Sequence, residues 1–324
     1  MHLPPYRALP ILALAVAVFL PSLSFGQGFP NKPVRIVVPG TAGSSSDSTA
    51  RIVANDMGRH LGQPVLVENR PGANSVIGSE YVANQAPADG YTLLLSSVTG
   101  LVSLPLITKD LRFDPVKDLP PVIGLTSGAF VWLTANSLPW KSIPEQVAAV
   151  RAAPGKFNWG SGDPATQLLG DTIMRQLGIH GVTVFVPYPA PGAFTRAVAA
   201  GEIQLSITAQ SAAAVIIDRV RILAVTGDKR QARMPEVPTF AELGLPNMPG
   251  LNWALHARAG TPEAAINALH QAGSQALKSP EVVSRYAKLT MDVADLGPAA
   301  AAKVVADTYK VFAEASRAAG VKPQ

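Results

Sequence analysis

The segment from Val34 to Asp47 constrains this chain most, because it joins an apolar strand to a helix through a loop of small residues. The VRIVV run is typical of a buried strand and stops at Pro39, and helical spacing of apolar residues begins near Asp47. Such a loop leaves backbone N–H groups unpaired at a helix N-terminus, where the macrodipole also favours negative charge. The segment therefore predicts a carboxylate or phosphate site. It lacks the lysine of the GxxxxGK phosphate loop, so we expect a small organic acid rather than a nucleotide.

Residues 1–26 have the features of a secretory signal peptide. Arg7 is the only charged residue before Lys32, and an apolar run that ends at Leu20 leads into small residues. The run is short for a membrane span, so we expect cleavage near Gly26–Gln27, while an uncleaved N-terminal anchor stays open as the alternative. The chain has no cysteine and therefore no disulfide. A protein held in an envelope compartment, such as a bacterial periplasm, fits these features.

Composition disfavours several classes of partner. The net charge is +5, but Lys and Arg are scattered and do not alternate with aromatic residues as they do in nucleic-acid binders, so we expect no nucleic-acid partner. The five His residues are isolated in the sequence, and neither an HExxH motif nor a cysteine is present. We therefore expect no metal site and no cofactor.

The order of predicted elements indicates an α/β fold. Strand, helix, strand, helix and strand follow one another over residues 34–96, which predicts a parallel sheet. A second series of strand candidates starts at Val122, and residues 262–318 read as helix throughout. The second-series strands are Val122–Leu125, Phe130–Thr134, Val182–Val186, Ile203–Ile207 and Ile222–Val225. Helix starts are marked by Ser142–Glu145, Asp163–Pro164 and Thr239–Glu242. Two α/β lobes with a ligand cleft between them would explain this order.

No set of residues forms a recognisable catalytic constellation. The run from Ser44 to Ser46 could contain a nucleophile, but a serine run in such a loop is more typical of a hydrogen-bonding turn. Asp47 could be a general base, although its place at a helix start favours a structural cap. No GxSxG motif is present. We therefore expect a binding protein, and a periplasmic serine hydrolase stays open as the less favoured alternative.

Short motifs along nearly the whole mature chain occur in the order and spacing of one family. They include VLVENRPGA at Val65–Ala73, APADGYTLL at Ala86–Leu94, DPVKDL at Asp114–Leu119, VPTFAELG at Val237–Gly244 and AGTP at Ala259–Pro262. Each motif is weak alone, but together they are specific. On these motifs the chain resembles the substrate-binding proteins of tripartite tricarboxylate transporters, also called the Bug family of periplasmic solute receptors.

The resemblance implies a two-lobed, hinged receptor with the type II periplasmic binding protein fold and an interlobe ligand cleft. It implies one lobe from residues 27–128 and 250–324, and a second lobe from residues 129–249. The implied ligand is a small carboxylate, and the implied partners are one large and one small integral membrane subunit of a transporter. We expect a monomer. Presentation of the ligand to a membrane sensor is an alternative that leaves the fold unchanged.

Carried over residue by residue, the resemblance places ligand contacts in three loops and at the end of one strand. The resulting ligand-binding set is Thr41, Ala42, Gly43, Ser44, Ser45, Ser46, Asp47, Gly160, Ser161, Thr166, Pro189, Ala190 and Thr208. Thr208 stands where several family members have an Asp that meets an amino group, so a plain carboxylic acid is expected rather than an amino acid. Trp159, Tyr188 and Trp253 either shape the far end of the cleft or pack in the core.

Overall fold

Two β-sheets flanked by helices make up the structure, a computed structural model that describes residues 28–188, 191–227, 229–245, 248–320 and 323. The predicted signal peptide, residues 1–26, lies outside the described residues. The strands are β1 (Val34–Val38), β2 (Val65–Asn69), β3 (Thr92–Ser97), β4 (Pro121–Gly128), β5 (Phe130–Ala135), β6 (Asn158–Gly160), β7 (Val184–Phe185), β8 (Leu205–Ala209), β9 (Val220–Val225), β10 (Leu251–Ala257) and β11 (Asp292–Leu296).

Helices connect most of these strands. They are α1 (Ser45–Leu61), α2 (Val76–Glu80), α3 (Val98–Ile107), α4 (Ile143–Ala152), α5 (Pro164–Gln176), α6 (Pro191–Ala200), α7 (Gln210–Ala214), α8 (Glu263–Leu277), α9 (Pro280–Lys288) and α10 (Pro298–Ala319). In α1 the apolar residues Ala50, Val53 and Met57 are fully buried, as their spacing predicts. Gly62 ends this helix with a φ of 66°, a conformation that favours glycine.

The first sheet has six strands in the order β11-β4-β10-β3-β1-β2. β1 pairs in parallel with both β2 and β3, which confirms the parallel arrangement predicted for residues 34–96. β10 runs antiparallel to both β3 and β4, so β4 points in the same direction as β1. The carboxyl ends of β1, β3 and β4 therefore lie along one edge of this sheet, which is where ligands of parallel sheets bind.

The second sheet has five strands in the order β7-β6-β8-β5-β9. β6 is parallel to β7 and β8, whereas β5 is antiparallel to β8 and β9. Phe130, the first residue of β5, pairs with Ala209, the last residue of β8. The carboxyl ends of β6, β8 and β9 therefore share the edge at which β5 begins.

The chain crosses between the sheets at these two edges. β4 ends at Gly128 and β5 begins at Phe130, and the return runs through residues 226–250. The two crossovers are joined because the Phe130 N–H donates to Thr226 Oγ1 and the Thr226 N–H donates to Phe130 O, each at 2.9 Å. At Gly250 a Cβ would lie 2.9 Å from the Gly128 carbonyl oxygen, so the close approach needs glycine. The carboxyl edges of the two sheets consequently face each other.

The two halves also touch away from the crossovers. α10 and α3, which flank the first sheet, both pack against α5 of the second half. The Arg233 guanidinium, in the segment after β9, donates a hydrogen bond to the Ala287 carbonyl in α9. One apolar cluster includes Val53 beside the first sheet and Trp132 in the second. The halves are therefore in contact in this conformation.

Two sequence predictions of helix are wrong. Residues 262–318 are not helical throughout, because β11 separates α9 from α10 and pairs with β4. Thr290, with a φ of 58°, turns the chain into this edge strand. At Thr239 the predicted capping box forms, since Thr239 and Glu242 exchange hydrogen bonds of 2.8 and 3.1 Å, but only turns follow. Local capping bonds do not by themselves make a helix, whose stability comes mainly from packing.

Several strand limits also differ from the predictions. β6 and β10 are absent from the predicted strands, and β7 is only Val184–Phe185. β6 is three residues long, too short to show a period, while β10 has the mixed sequence LNWALHA and takes its place through pairing on both sides. Tertiary pairing rather than local pattern therefore sets these strands.

Candidate functional site

The first loop, residues 39–47, follows β1 and closes over the N-terminus of α1. Ser44 is the N-cap: it is extended (φ −70°, ψ 168°), and its hydroxyl accepts the Asp47 N–H at 3.3 Å. The Ser44 N–H donates to Thr41 O at 3.1 Å, and Gly43 has a φ of 81°, which favours glycine. The helix therefore begins at Ser45, two residues before the predicted position, and Ser44 rather than Asp47 is the cap.

Asp47 holds the first loop in shape. Its carboxylate accepts the Gly43 N–H at 2.9 Å, Arg51 Nε at 3.0 Å and Asn69 Nδ2 at 3.0 Å. The hydrogen bond from Arg51 is the main reason that the pKa of Asp47 is lowered to about 2. Asn69 also donates to Gly40 O at 3.1 Å. Sequence reasoning missed both partners, although the four-residue spacing of Asp47 and Arg51 was a usable signal.

The first loop keeps backbone donors that the described part of the chain does not use. The N–H groups of Thr41, Ala42, Ser45 and Ser46 make no hydrogen bond within the described residues. Thr41, Ala42 and Ser45 are exposed, and Ser46 is half-buried. N–H groups at a helix start carry partial positive charge, so this group of donors can bind an anion by charge-assisted hydrogen bonds.

The second loop, residues 160–167, leads from β6 into α5 and is paired differently. Asp163 is the N-cap, and its carboxylate accepts the Thr166 N–H at 2.9 Å and the Thr166 hydroxyl at 2.8 Å. The Ser161 hydroxyl donates to Asp163 O at 3.2 Å. Pro164 has no N–H, so in the first turn of α5 the Ala165 N–H is the one without a partner among the described residues. The hydroxyls of Ser161 and Thr166 are thus engaged by Asp163, whereas the N–H groups of Ser161, Gly162 and Asp163 make no hydrogen bond within the described residues.

Charge also distinguishes the second loop. Asp163 is exposed, and no Lys or Arg of the described residues lies within ion-pair distance of it. At Gly160 a Cβ would lie 3.1 Å from Val186 O and 3.4 Å from Phe194, so close packing between β6 and its neighbours accounts for this glycine. The second loop therefore places an unneutralised carboxylate at its helix start.

The remaining predicted contacts lie near the same edge or outside the description. Thr208 is half-buried in β8, one residue before the strand ends, and pairs with Val131. Pro189 and Ala190 lie outside the described residues. The first loop therefore lies at the carboxyl edge of the first sheet. The second loop and Thr208 lie at the carboxyl edge of the second sheet.

The three aromatic candidates fall into two groups. Trp159 packs against Phe185 with ring centroids 4.7 Å apart, and Tyr188 packs against Phe194 at 5.7 Å. These contacts are those of core side chains. Trp253 is only 8% exposed, and its indole N–H has no hydrogen-bond partner in the described structure. No pattern in the sequence reveals such an unpaired group.

A separate cavity of about 700 Å³ lies between α10 and the crossovers. Gly128, Gly227 and Gly250 line its crossover side, and Thr308 and Glu314 line the α10 side. It includes none of the predicted ligand residues. We therefore assign the candidate site from the unpaired donors at the facing edges, where the chemistry lies, rather than from this cavity.

The described residues show neither a metal cluster nor a spanning helix. No group of three or more His, Cys, Asp or Glu side chains within them is placed to hold a metal ion. None of the described helices is long and apolar enough to cross a membrane.

Known proteins of similar sequence match this chain over most of its length. The chain is 33% identical over 302 residues to the UPF0065 protein in the gbd 5' region of Cupriavidus necator, covering 92% of this chain and 90% of that protein. It is 31% identical over 298 residues to Protein BugT of Bordetella pertussis, covering 91% of each. These matches span both sheets.

Solved structures of periplasmic binding proteins have a similar fold. Rpa4515 of R. palustris, solved with adipate, has a TM-score of 0.77 at 26% identity, covering 91% of this chain and 100% of that one. MatC (Rpa3494) of Rhodopseudomonas palustris, solved with bound malate, has a TM-score of 0.73 at 26% identity, covering 89% and 100%. The fold is the two-lobed fold of periplasmic binding proteins, and these neighbours are binding proteins rather than enzymes. A model described as tripartite tricarboxylate transporter family receptor matches residues 49–317, and the chain belongs to that family.

Proposed function

We propose that this protein captures a small organic carboxylate in the cleft between its lobes and delivers it to a tripartite tricarboxylate-type membrane transporter. The observation that carries the proposal is the set of unpaired N–H groups at the start of α1, on the edge that faces the second lobe. Structural relatives solved with malate and adipate support the ligand class. The proposed membrane partners are one large and one small subunit.

The first loop is the principal anion contact in this proposal. The N–H groups of Thr41, Ala42, Ser45 and Ser46 bind the carboxylate, while Gly43, Ser44 and Asp47 keep the loop in shape. From the second lobe, Gly160, Ser161, Thr166, Pro189, Ala190 and Thr208 remain the proposed wall of the cleft. A carboxylate held by the first loop gains further contacts only when the second lobe closes on it.

Hinge closure is the proposed mode of capture. The short joint at Gly128 and Phe130 and the return through residues 226–250 are the places where the lobes can rotate. We assign residues 27–128 and 250–324 to the first lobe and residues 129–249 to the second. The ligand stabilises the closed form because only that form contacts it from both sides.

We further propose that residues 1–26 direct export and that the mature protein acts as a monomer in the periplasm. The apolar leader and the absence of cysteine support this location. Cell fractionation with detection of the processed chain tests it. Retention of the full-length chain in the membrane fraction would instead support the uncleaved anchor.

A calorimetric screen tests the ligand class. Purified mature protein is titrated with mono-, di- and tricarboxylates, and with neutral sugars and amines as controls. We expect at least one acid to bind and to raise the unfolding temperature, and we expect the controls to do neither. Binding of a sugar or an amine without any acid would overturn the proposal. Delivery is then tested by comparing uptake of the bound acid in cells with and without the protein. Equal uptake by the two kinds of cell would favour a sensory role.

A further inference from the structure

Two buried polar groups near the facing edges have no partner within the described structure. The indole N–H of Trp253 is a donor without an acceptor, and Oε1 of Gln210 is an acceptor without a donor. Trp253 is 8% exposed and Gln210 is 7% exposed. Buried polar groups are nearly always hydrogen-bonded, because an unpaired one loses its hydration without replacement. Each of these groups therefore needs an explanation.

The same pair of side chains is satisfied elsewhere in the molecule. In the second lobe, Trp132 Nε1 donates to Gln146 Oε1 at 2.7 Å, and both residues are fully buried. A buried indole and a buried amide in this chain can thus pair within the fold. The Trp253 indole N–H and Gln210 Oε1 therefore lack partners because of where they lie in the fold, and not because of their residue types.

Trp253 lies in the first lobe beside the start of α1. Trp253 is in β10, and it pairs on one side with Ser97, the last residue of β3, and on the other side with Thr126 of β4. The Thr126 hydroxyl and the hydroxyl of Thr49, which lies in the second turn of α1, both contact Met291 Sδ at 3.8 Å. The indole is therefore on the side of the sheet that carries the first loop.

Gln210 reaches the same edge from the second lobe. It follows β8 directly, two residues after Thr208, and its N–H donates to Ala129 O at 3.0 Å. Ala129 is the residue between β4 and β5, and its neighbour Gly128 pairs with Leu251, two residues before Trp253. The donor and the acceptor thus come from opposite lobes to the crossover side of the proposed cleft.

The chemistry of the two groups selects a ligand. A carboxylate would satisfy the indole N–H but would repel the amide oxygen, and an ammonium group would do the reverse. A hydroxyl accepts from the indole N–H and donates to the amide oxygen. We propose that Trp253 and Gln210 form a hydroxyl subsite, so that the cleft selects a hydroxycarboxylate. This inference rests on the proposed function.

Matched acids that differ only by a hydroxyl test the subsite by calorimetry. The pairs are lactate and propionate, malate and succinate, and citrate and tricarballylate. We expect the wild-type protein to bind a hydroxy acid about tenfold or more tightly than its partner, since a site that hydrogen-bonds a hydroxyl rejects the analogue without it. Trp253→Phe and Gln210→Met should each reduce the preference to about twofold while the Kd of the acid without the hydroxyl stays the same.

The controls separate the possible failures. Trp132→Phe removes an indole N–H that is already paired, so it should lower the unfolding temperature and keep the preference for the hydroxy acid. Unchanged Kd for the acid without the hydroxyl shows that the variants are folded. Equal binding of both acids by the wild type, or an intact preference in both variants, overturns the subsite while the carboxylate function stands. Absence of binding for every carboxylate overturns the proposed function itself.

Discussion

The first and second loops look alike at the level of the backbone but differ in how the carboxylate at each helix start is paired. Each follows a parallel strand, and each is closed by a polar N-cap, Ser44 or Asp163. In the first loop the nearby carboxylate, Asp47, is neutralised by Arg51 at 3.0 Å. In the second loop the carboxylate is the cap itself, and it is exposed. A helix start is therefore an anion site only when the chain's own carboxylates are neutralised or directed elsewhere.

The comparison assigns the anion mainly to the first lobe. Among the described residues both loops keep unpaired N–H groups, but α1 has them at its first two helical positions, whereas α5 has Pro164 at the first position and the exposed Asp163 carboxylate as its cap. We expect the second lobe to close on a ligand that is already held and to add further contacts. This division of roles predicts measurable changes in stability and affinity, the strongest of which come first.

Burial of His256 should cause a strong pH dependence of stability, which has to be subtracted before the two loops are compared in acid. His256 is fully buried, and burial lowers its pKa to about 4 from 6.5. As the pH falls, this imidazole is protonated in the unfolded chain before it is protonated in the folded protein. The free energy of unfolding should therefore fall by about 3 kcal/mol as the pH drops from 6.5 to 4. Urea unfolding across this range measures it. His256→Gln should lack most of the fall, and an identical fall in the variant would contradict the assignment.

Ser45→Pro should cause the largest loss of ligand affinity. Proline is favoured at the first helical position, and Ser44 already has the extended conformation that precedes proline, so the helix should be preserved. Loss of one charge-assisted donor should weaken carboxylate binding about 10- to 100-fold. Calorimetry gives the Kd, and Ser45→Ala, which keeps the N–H, is the matched control. Equal affinity in the proline variant would remove the first loop from the site.

Acid unfolding below pH 4 should report on Asp47. Its folded pKa of about 2 lies below the ordinary 3.8, so its contribution to stability is present above pH 3.8 and is lost as the pH falls through 2. The wild type should therefore lose stability faster than Asp47→Asn between pH 4 and 2. Parallel curves for the two proteins would show that Asp47 does not anchor the loop through its charge.

Asp163→Asn should improve carboxylate binding. Asparagine caps a helix as well as aspartate does, so the second loop should keep its shape while its negative charge is removed. We expect affinity to rise about 2- to 5-fold at low salt and less at high salt, because the charge is exposed. Asp218→Asn is the control, since Asp218 is exposed on the second lobe just before β9, away from the carboxyl edge. A decrease in affinity would assign the Asp163 carboxylate to ligand binding instead.

Thr166→Val should have the smallest effect on binding. The Thr166 hydroxyl donates to Asp163, so its removal should cost about 1 kcal/mol of stability and change the Kd by less than about twofold. Thermal unfolding and calorimetry measure the two quantities. A tenfold loss of affinity at unchanged stability would show that the hydroxyl turns toward the ligand on closure.

Much of the fold follows from local patterns in the sequence. The buried β1 strand, the spacing of apolar residues in α1 and the glycine after that helix all lie within one window, so strand, loop and helix are predictable there. β6, β10 and β11 are not predictable in the same way, because they are short, mixed or at an edge and exist through pairing. The helix expected after Thr239 fails for the opposite reason: its capping bonds form without a face to bury.

The ordered motifs of the sequence carried the resemblance to the receptor family, and its local patterns indicated an α/β chain with a first loop of the kind that binds anions. The reason is that strand period, helix period, caps and glycines act over a few residues. Which donors stay free depends on the folded chain as a whole, because pairing involves residues distant in sequence, such as Asn69 with Asp47. The same holds for the Trp253 indole N–H and Gln210 Oε1, which have no partner within the described residues, since burial and pairing are properties of the packed molecule.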